Sequence, residues 1–382
     1  MPTNTMEKIS VRQFTILIIL GIIGDSILVL PTMIAFFAKQ DSWIAMILAG
    51  IFGLVAGFLF AGIANRLKEK SLIAAIQSKL GIVTGGIITL LFLFQFFMCA
   101  LTLMSEMSQF MTTQMMPETP VNAILVLFVA VVIIAYRYGV EAFARMGELL
   151  FPVFLVLFLC LVFFLFPQIE GTNVKPILAH GLGPAFKGMF PAVTQAFTEV
   201  VFILMLAQHV NSKTKLTKPI LTGYVIGGFI LLIVVTLCVL VLGPSLMETK
   251  YYPAFVLAQK ITIGKFLERL EVILTFLWII TVFYKTTMLF YALTTGLAQF
   301  LRLKESRMLT IPLGIILIVC TITSTPNITV YNQILLFYYP WFDLIFCFGL
   351  PLLCFVILLI PGKRKKGVSK AGEPNETDRN TA

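Results

Sequence analysis

The chain has 382 residues, of which 59% are hydrophobic and 12% charged, and it carries a formal net charge of +10 and a mean hydropathy of +0.99. A soluble domain cannot bury that much apolar surface, so lipid is the solvent and a soluble enzyme or binding module is excluded. The basic excess could suggest a nucleic-acid partner, but it lies in the short loops between apolar runs, where topology and anionic lipid account for it.

Ten apolar stretches satisfy the requirement of roughly 20 residues per crossing. They are residues 12–38, 43–64, 83–113, 121–137, 142–166, 188–208, 218–242, 268–300, 308–323 and 334–360, taken below as spans 1 to 10. Lys8 and Arg12 flank the first, but that run is too long for a signal peptide and has no Ala-x-Ala site, so it is expected to be retained. Span 1 has Gly21, Gly24, Asp25, Ser26 and Pro31 at its middle. Two glycines, an acid and a proline at that depth predict two half-helices, with the freed backbone at residues 24–26 facing a cavity. The alternative is a kinked span whose Asp25 is satisfied by a neighbour.

Alternate loops differ in Lys and Arg. Twenty fall on one side, from Lys8 and Arg12 through Arg137, Arg145 and Arg307 to the cluster at 363–366; seven fall on the other, and Lys285 lies within span 8. An even number of spans with both termini cytoplasmic follows. The halves repeat one plan: spans 3 and 8 are long, 4 and 9 short, and spans 2 and 7 are each followed by an amphipathic piece ending in glycine, 71–81 and 253–264. Five spans per half invert the second copy, which makes span 6 the counterpart of span 1. Span 6 carries break signals of its own, Gly188 and Pro191 ahead of Phe197, Thr198 and Glu199. The expected fold is thus all-α, with ten transmembrane helices in a five-plus-five inverted repeat and broken helices 1 and 6. The expected divisions are a cytoplasmic N-terminus (1–11), a first repeat (12–166), an extracytoplasmic loop (167–187), a second repeat (188–360) and a disordered cytoplasmic tail (361–382).

Asp25, Glu199 and Lys285 sit near the middle of their spans, and Glu106 in the outer part of span 3. Charges at such depth either form a solute or proton site or fix helices through a structural ion-pair network. Gly24, Asp25, Ser26, Phe197, Thr198 and Glu199 are the candidate ligand contacts; Glu106, Glu199 and Lys285 are the candidate ion-pair or proton-relay set. Glu141 and Arg145, four apart after the turn at 138–141, predict a helix-end ion pair and, at a further remove, an inner gate. Asp41 or Ser42 is expected to cap span 2, and Asp343 to be a shallow acid at the outer interface beside Trp341. The six cysteines lie in apolar runs without metal-ligand spacing, and His180 and His209 have no ligand partner in sequence, so packing and no metal site are expected. Nothing reads as a nucleotide loop or a catalytic constellation, so neither a cofactor nor an enzyme is expected.

Gly24-Asp25-Ser26 with Pro31, then 38–43, then Tyr138-Gly139-Val140-Glu141 with Arg145, Glu148 and Pro152, and then 266–271 through Trp278, Phe283 and Lys285, in this order and spacing, resemble the GerAB family. These are the permease-like B subunits of the nutrient germinant receptors of bacterial endospores. The resemblance extends to about residue 360 and implies a LeuT-like fold of the amino acid, polyamine and organocation superfamily. It implies a sensor that binds an amino acid or sugar germinant and signals with an A subunit and a lipoprotein C subunit in the spore inner membrane. In one departure Thr198 precedes Glu199 where the family often has glycine. A proton-coupled amino acid permease, and an ion or water conduit opened by ligand, stand as the alternatives.

Overall fold

A computed structural model describes residues 8–67, 70–210, 215–261 and 271–359. The expected start of span 8 at 268–270, the 266–271 motif up to residue 270, Gly264, most of the N-terminal segment and the tail from 360 lie outside the described residues. The regular elements of the described residues are all helices, joined by short turns, with an isolated bridge between Ile9 and Val210.

Span 1 is two helices, Val11–Ile23 and Ser26–Ala38. Ser10 starts the first with a capping box, its side chain accepting from the Gln13 N–H while the Gln13 side chain accepts from the Ser10 N–H. Gly24 ends it at φ +30°, outside the helical region, and Asp25 opens the second helix without using its carboxylate as a cap. Nine runs among the described residues are long and apolar enough to cross a membrane; the first, Ser26–Leu67, turns at Lys39–Asp41 and so holds the second half of span 1 and all of span 2. With Val11–Ile23 as the first half of span 1, the count is the expected ten. Spans 3 to 10 are Ile82–Met115, Val121–Tyr138, Val140–Gln168, Gly183–His209, Thr217–Thr249, Glu271–Phe300, Ser306–Ser324 and Ile328–Leu359. Span 6 begins five residues ahead of expectation, inside the predicted 167–187 loop, because Pro184 at the first turn suits a helix start.

The repeat is visible in detail. Span 2 is followed by the helix Leu72–Leu80 and span 7 by Pro253–Gln259, the two amphipathic pieces expected. Span 6 is interrupted, though not by unwinding: after Gly183–Ala192 the turns widen to a π-helix at Val193–Thr198 and tighten to a 3₁₀ turn at Glu199–Phe202. Without a glycine before Glu199, every residue there keeps right-handed helical dihedrals, and the disturbance is confined to the hydrogen-bond ladder. Asp41 does not cap span 2; its carboxylate accepts from the Leu178 N–H (2.9 Å) and holds the outer loop.

Spans 1, 2, 6 and 7 pack together, and spans 3 and 8 pair across from them with spans 4 and 9 outside. Spans 6 and 8 are mostly buried, whereas spans 4, 5, 9 and 10 leave most of their surface outward, as lipid-facing helices do. Span 8 therefore runs through the centre and presents Lys285 to the break in span 1.

Candidate functional site

The break in span 1 is built against span 8. The Gly24 carbonyl, freed by the break, accepts from the Thr281 hydroxyl (2.8 Å). The Lys285 stem passes so close to Gly24 that any Cβ there would overlap its Cδ. The expected cavity beside residues 24–26 is thus filled, in this conformation, by a lysine side chain. Its ammonium donates to Asp25 Oδ1 (2.5 Å) and forms an ion pair with Glu199 Oε2 on span 6. All three residues are at most 1% exposed. Asp25 Oδ2 accepts from Gln195 Nε2 (2.9 Å), one turn before Glu199. One cation thus ties the break of span 1 to the altered turns of span 6, at a depth where an unpaired charge is prohibitive.

Polar capacity remains around this triad. The Ser26 hydroxyl and Gln195 Oε1 are buried and make no hydrogen bond among the described residues. Native interiors rarely leave such groups unmet, and those that persist mark strain or a place for a ligand.

Other expected contacts separate. Thr198 donates back to the Thr194 carbonyl (2.6 Å), closing on its own helix. Phe197 is turned to spans 2 and 7, where its ring fits the notch left by Gly53 and Gly228. Its carbonyl, displaced by the π turn, accepts from the buried Tyr224 hydroxyl (2.7 Å). Tyr224→Phe strands that carbonyl and is expected to lower thermal stability by about 1–3 kcal/mol, read by unfolding in detergent.

Glu106 is fully buried rather than hydrated at an outer interface. It accepts from Trp278 Nε1 (3.2 Å) and the Tyr331 hydroxyl (3.1 Å), and it joins neither Lys285 nor Glu199 in an ion pair. Glu141 and Arg145 form the helix-end pair (2.5 Å), but both belong to span 5 and are exposed, so the pair bridges no two spans. Among the links between spans at this end is Glu148, which binds Arg12 Nε (3.3 Å) and accepts from Gln13 Nε2 (2.9 Å). Asp343 is not a shallow acid: it is fully buried, with Cys347 and Cys99 against it. Sequence spacing hides that meeting, because Cys99 comes from span 3 and the other two from span 10.

Gln195, Thr281, Tyr224 and Tyr331 are the site residues that charge alone does not point to. Gln195 and Thr281 lie one turn from Glu199 and Lys285, which is the signal that sequence offers for them; Tyr224 and Tyr331 meet Phe197 and Glu106 from spans that spacing does not connect.

Comparison with known proteins agrees with this fold. A family model described as spore germination protein matches residues 8–329. Spore germination protein KB of Bacillus subtilis is 28% identical over 371 residues, covering 94% of this chain and 98% of that protein. Spore germination protein A2 of the same organism is 25% identical over 298 residues, covering 78% and 80%. Among solved structures, MhsT in complex with L-phenylalanine superposes with a TM-score of 0.66 at 13% identity, covering 93% of this chain and 89% of that one. Mhp1, a nucleobase-cation-symport-1 family transporter, gives 0.62 at 14% identity, covering 86% and 75%. With a break in span 1, an interrupted span 6 and an inverted repeat of the LeuT type, this chain is a multi-pass membrane protein and belongs to the family of spore germination proteins.

Proposed function

We propose that the chain is the permease-like B subunit of a nutrient germinant receptor, binding a small zwitterionic germinant, an amino acid in the first instance, at the Asp25–Glu199–Lys285 centre. The observation that carries this reading is that one buried ammonium already holds two carboxyl groups contributed by the two interrupted helices. An amino acid offers the same chemistry with its own partner: its ammonium can take Asp25 or Glu199 while its carboxylate takes Lys285. Binding then exchanges an internal ion pair for two external ones, which limits the desolvation cost. Ser26 and Gln195 add unpaired polar atoms at the same place. A structural neighbour solved with L-phenylalanine supports an amino acid over a sugar.

Signalling follows from population shift. A ligand that favours the state with the triad parted moves spans 1 and 6 relative to span 8, and a partner touching those spans reads the difference. The partners proposed are the A subunit and the lipoprotein C subunit, in the spore inner membrane, with both termini cytoplasmic as the loop charges favour. The proposed domain plan is an N-terminal segment, two five-span repeats and a C-terminal tail, with the outer loop between the repeats ending where span 6 starts at Gly183.

The test is binding and uptake measured in parallel. Protein in liposomes is offered labelled L-amino acids and sugars, with and without a proton gradient. The expected result is saturable binding without accumulation, weakened at least tenfold by Asp25→Asn. Gradient-driven accumulation that vanishes in Glu199→Gln would instead make the chain a proton-coupled permease.

A further inference from the structure

Span 10 contains two π segments, Ile334–Tyr338 and Leu344–Gly349. Widened turns of this kind recur where a helix must aim side chains at a ligand. The second packs against Val193–Thr198 and Glu199–Phe202 of span 6 and against span 3. At that junction Asp343 and Cys347, four apart on one face of span 10, meet Cys99 of span 3, and one donor atom from each lies within 4.8 Å of the others. All three residues are fully buried.

The polar atoms there are incompletely used. Cys347 Sγ donates to Asp343 Oδ1 (3.3 Å), but Asp343 Oδ2 has no hydrogen-bond partner among the described residues. Gln95, one turn before Cys99, directs Nε2 at both sulfurs (3.7 Å to Cys99, 3.4 Å to Cys347), while its Oε1 is buried and unpaired. Rotating that amide by half a turn brings Oε1 to the same point. Four donors thus converge: two sulfurs, a carboxylate and an amide oxygen.

We infer that Cys99, Cys347, Asp343 and Gln95 form a binding site for a thiophilic divalent cation of the zinc class. Two thiolates with oxygen donors are a set that zinc accepts in tetrahedral geometry and that hard cations such as magnesium or calcium do not favour. Bonds of about 2.3 Å to sulfur at the tetrahedral angle set two sulfurs roughly 3.8 Å apart, so donors that lie within 4.8 Å of one another close by at most about 1 Å, within reach of side-chain rotation. Binding releases the two thiol protons, and the single negative charge of an ionised Asp343 becomes spread over three ligands held by the cation, beside the Gln95 amide. The bound ion ties span 3 to span 10 directly behind the stretch that carries Glu199. The site is separate from the Asp25–Glu199–Lys285 centre and stands whichever ligand that centre takes.

The experiment uses the full chain in nanodiscs, stripped of metal by chelation and reduced, then titrated with Zn²⁺ and separately with Co²⁺. The expected result is one Zn²⁺ per chain and a thiolate-to-cobalt charge-transfer absorption. Cys347→Ser and Asp343→Asn each weaken Zn²⁺ binding roughly 100-fold or more, the scale on which lost metal-site contacts act. Cys238→Ser, a buried cysteine of span 7, leaves binding unchanged. Cys347→His keeps a ligand, so it retains Zn²⁺ and alters the cobalt spectrum, which separates lost coordination from lost folding. Cobalt bound without the thiolate band, undiminished Zn²⁺ in a protein with both Cys99 and Cys347 replaced by serine, or a native disulfide between those two sulfurs would each overturn the assignment.

Discussion

Lys285→Met is expected to reduce stability by about 3–5 kcal/mol, enough to remove most folded protein from the membrane, because it strips the shared partner from two carboxyl groups buried together. Asp25 and Glu199 are then left facing one another at the centre of the bundle with Gln195 as the remaining donor to Asp25. The loss should be repaired by balancing the charge rather than by restoring the lysine. A triple variant, Lys285→Met with Asp25→Asn and Glu199→Gln, keeps the volumes nearly constant and is expected to fold about as well as the parent, since a buried ionic group replaced as a unit is often close to neutral. It should bind no germinant. Size-exclusion profiles and thermal unfolding of the single and triple variants decide this. A single variant as stable as the parent would mean that the two acids do not need the ammonium, and the triad would lose its standing as the organising element.

Gly24→Ala is expected to have the second largest effect, for two independent reasons. The backbone there has φ +30°, which an L side chain adopts only under strain of about 1–3 kcal/mol. The new methyl group would also overlap Lys285 Cδ and push the ammonium away from Asp25. A double-mutant cycle separates the two contributions. In a charge-balanced background that keeps its fold, Asp25→Asn and Glu199→Gln with Lys285→Ala, the overlap with Cδ is gone and the backbone strain remains, so Gly24→Ala should cost less there than with Lys285 present. Strict additivity would show that Lys285 does not press on Gly24 in the membrane.

Much of this was legible in the sequence because the bilayer enforces length and forbids unpaired backbone. The ten spans, the break at Gly24 and the two matching amphipathic helices, Leu72–Leu80 and Pro253–Gln259, follow from those two constraints. Asp25, Glu199 and Lys285 stood out because charge at mid-depth is rare, and they do meet. What depended on rotation about a helix axis was not legible. Phe197 and Glu199 are two residues apart, yet one fits a notch in spans 2 and 7 and the other reaches Lys285. Distance along a span places Glu106 in the outer part of span 3 and Asp343 at the outer interface, yet both are fully buried, because the tilt of spans 3 and 10 is set by neighbours that periodicity does not reveal. Glu141 and Arg145 behaved as local rules predict, as a pair on one helix, and an exposed pair of that kind contributes at most about 1 kcal/mol. A link between spans fell instead to Glu148, whose partners Arg12 and Gln13 lie far away in sequence.

Span 6 changes its hydrogen-bond step at one peptide. Over Val193–Thr198 the turns are loose, reaching five residues back, and over Glu199–Phe202 they are tight, reaching three. Extra length on one side is matched by a deficit on the other, so the ends of the helix stay where their loops hold them. If the boundary slides by one residue, one peptide step passes from a tight 3₁₀ turn to a wider π turn, and the side chain at the boundary rotates by a few tens of degrees around the axis. That side chain is Glu199. Whether the acid meets Lys285 or turns from it is therefore a matter of register in a single helical turn, so a small event at the centre can be sorted into two distinct arrangements rather than a continuum.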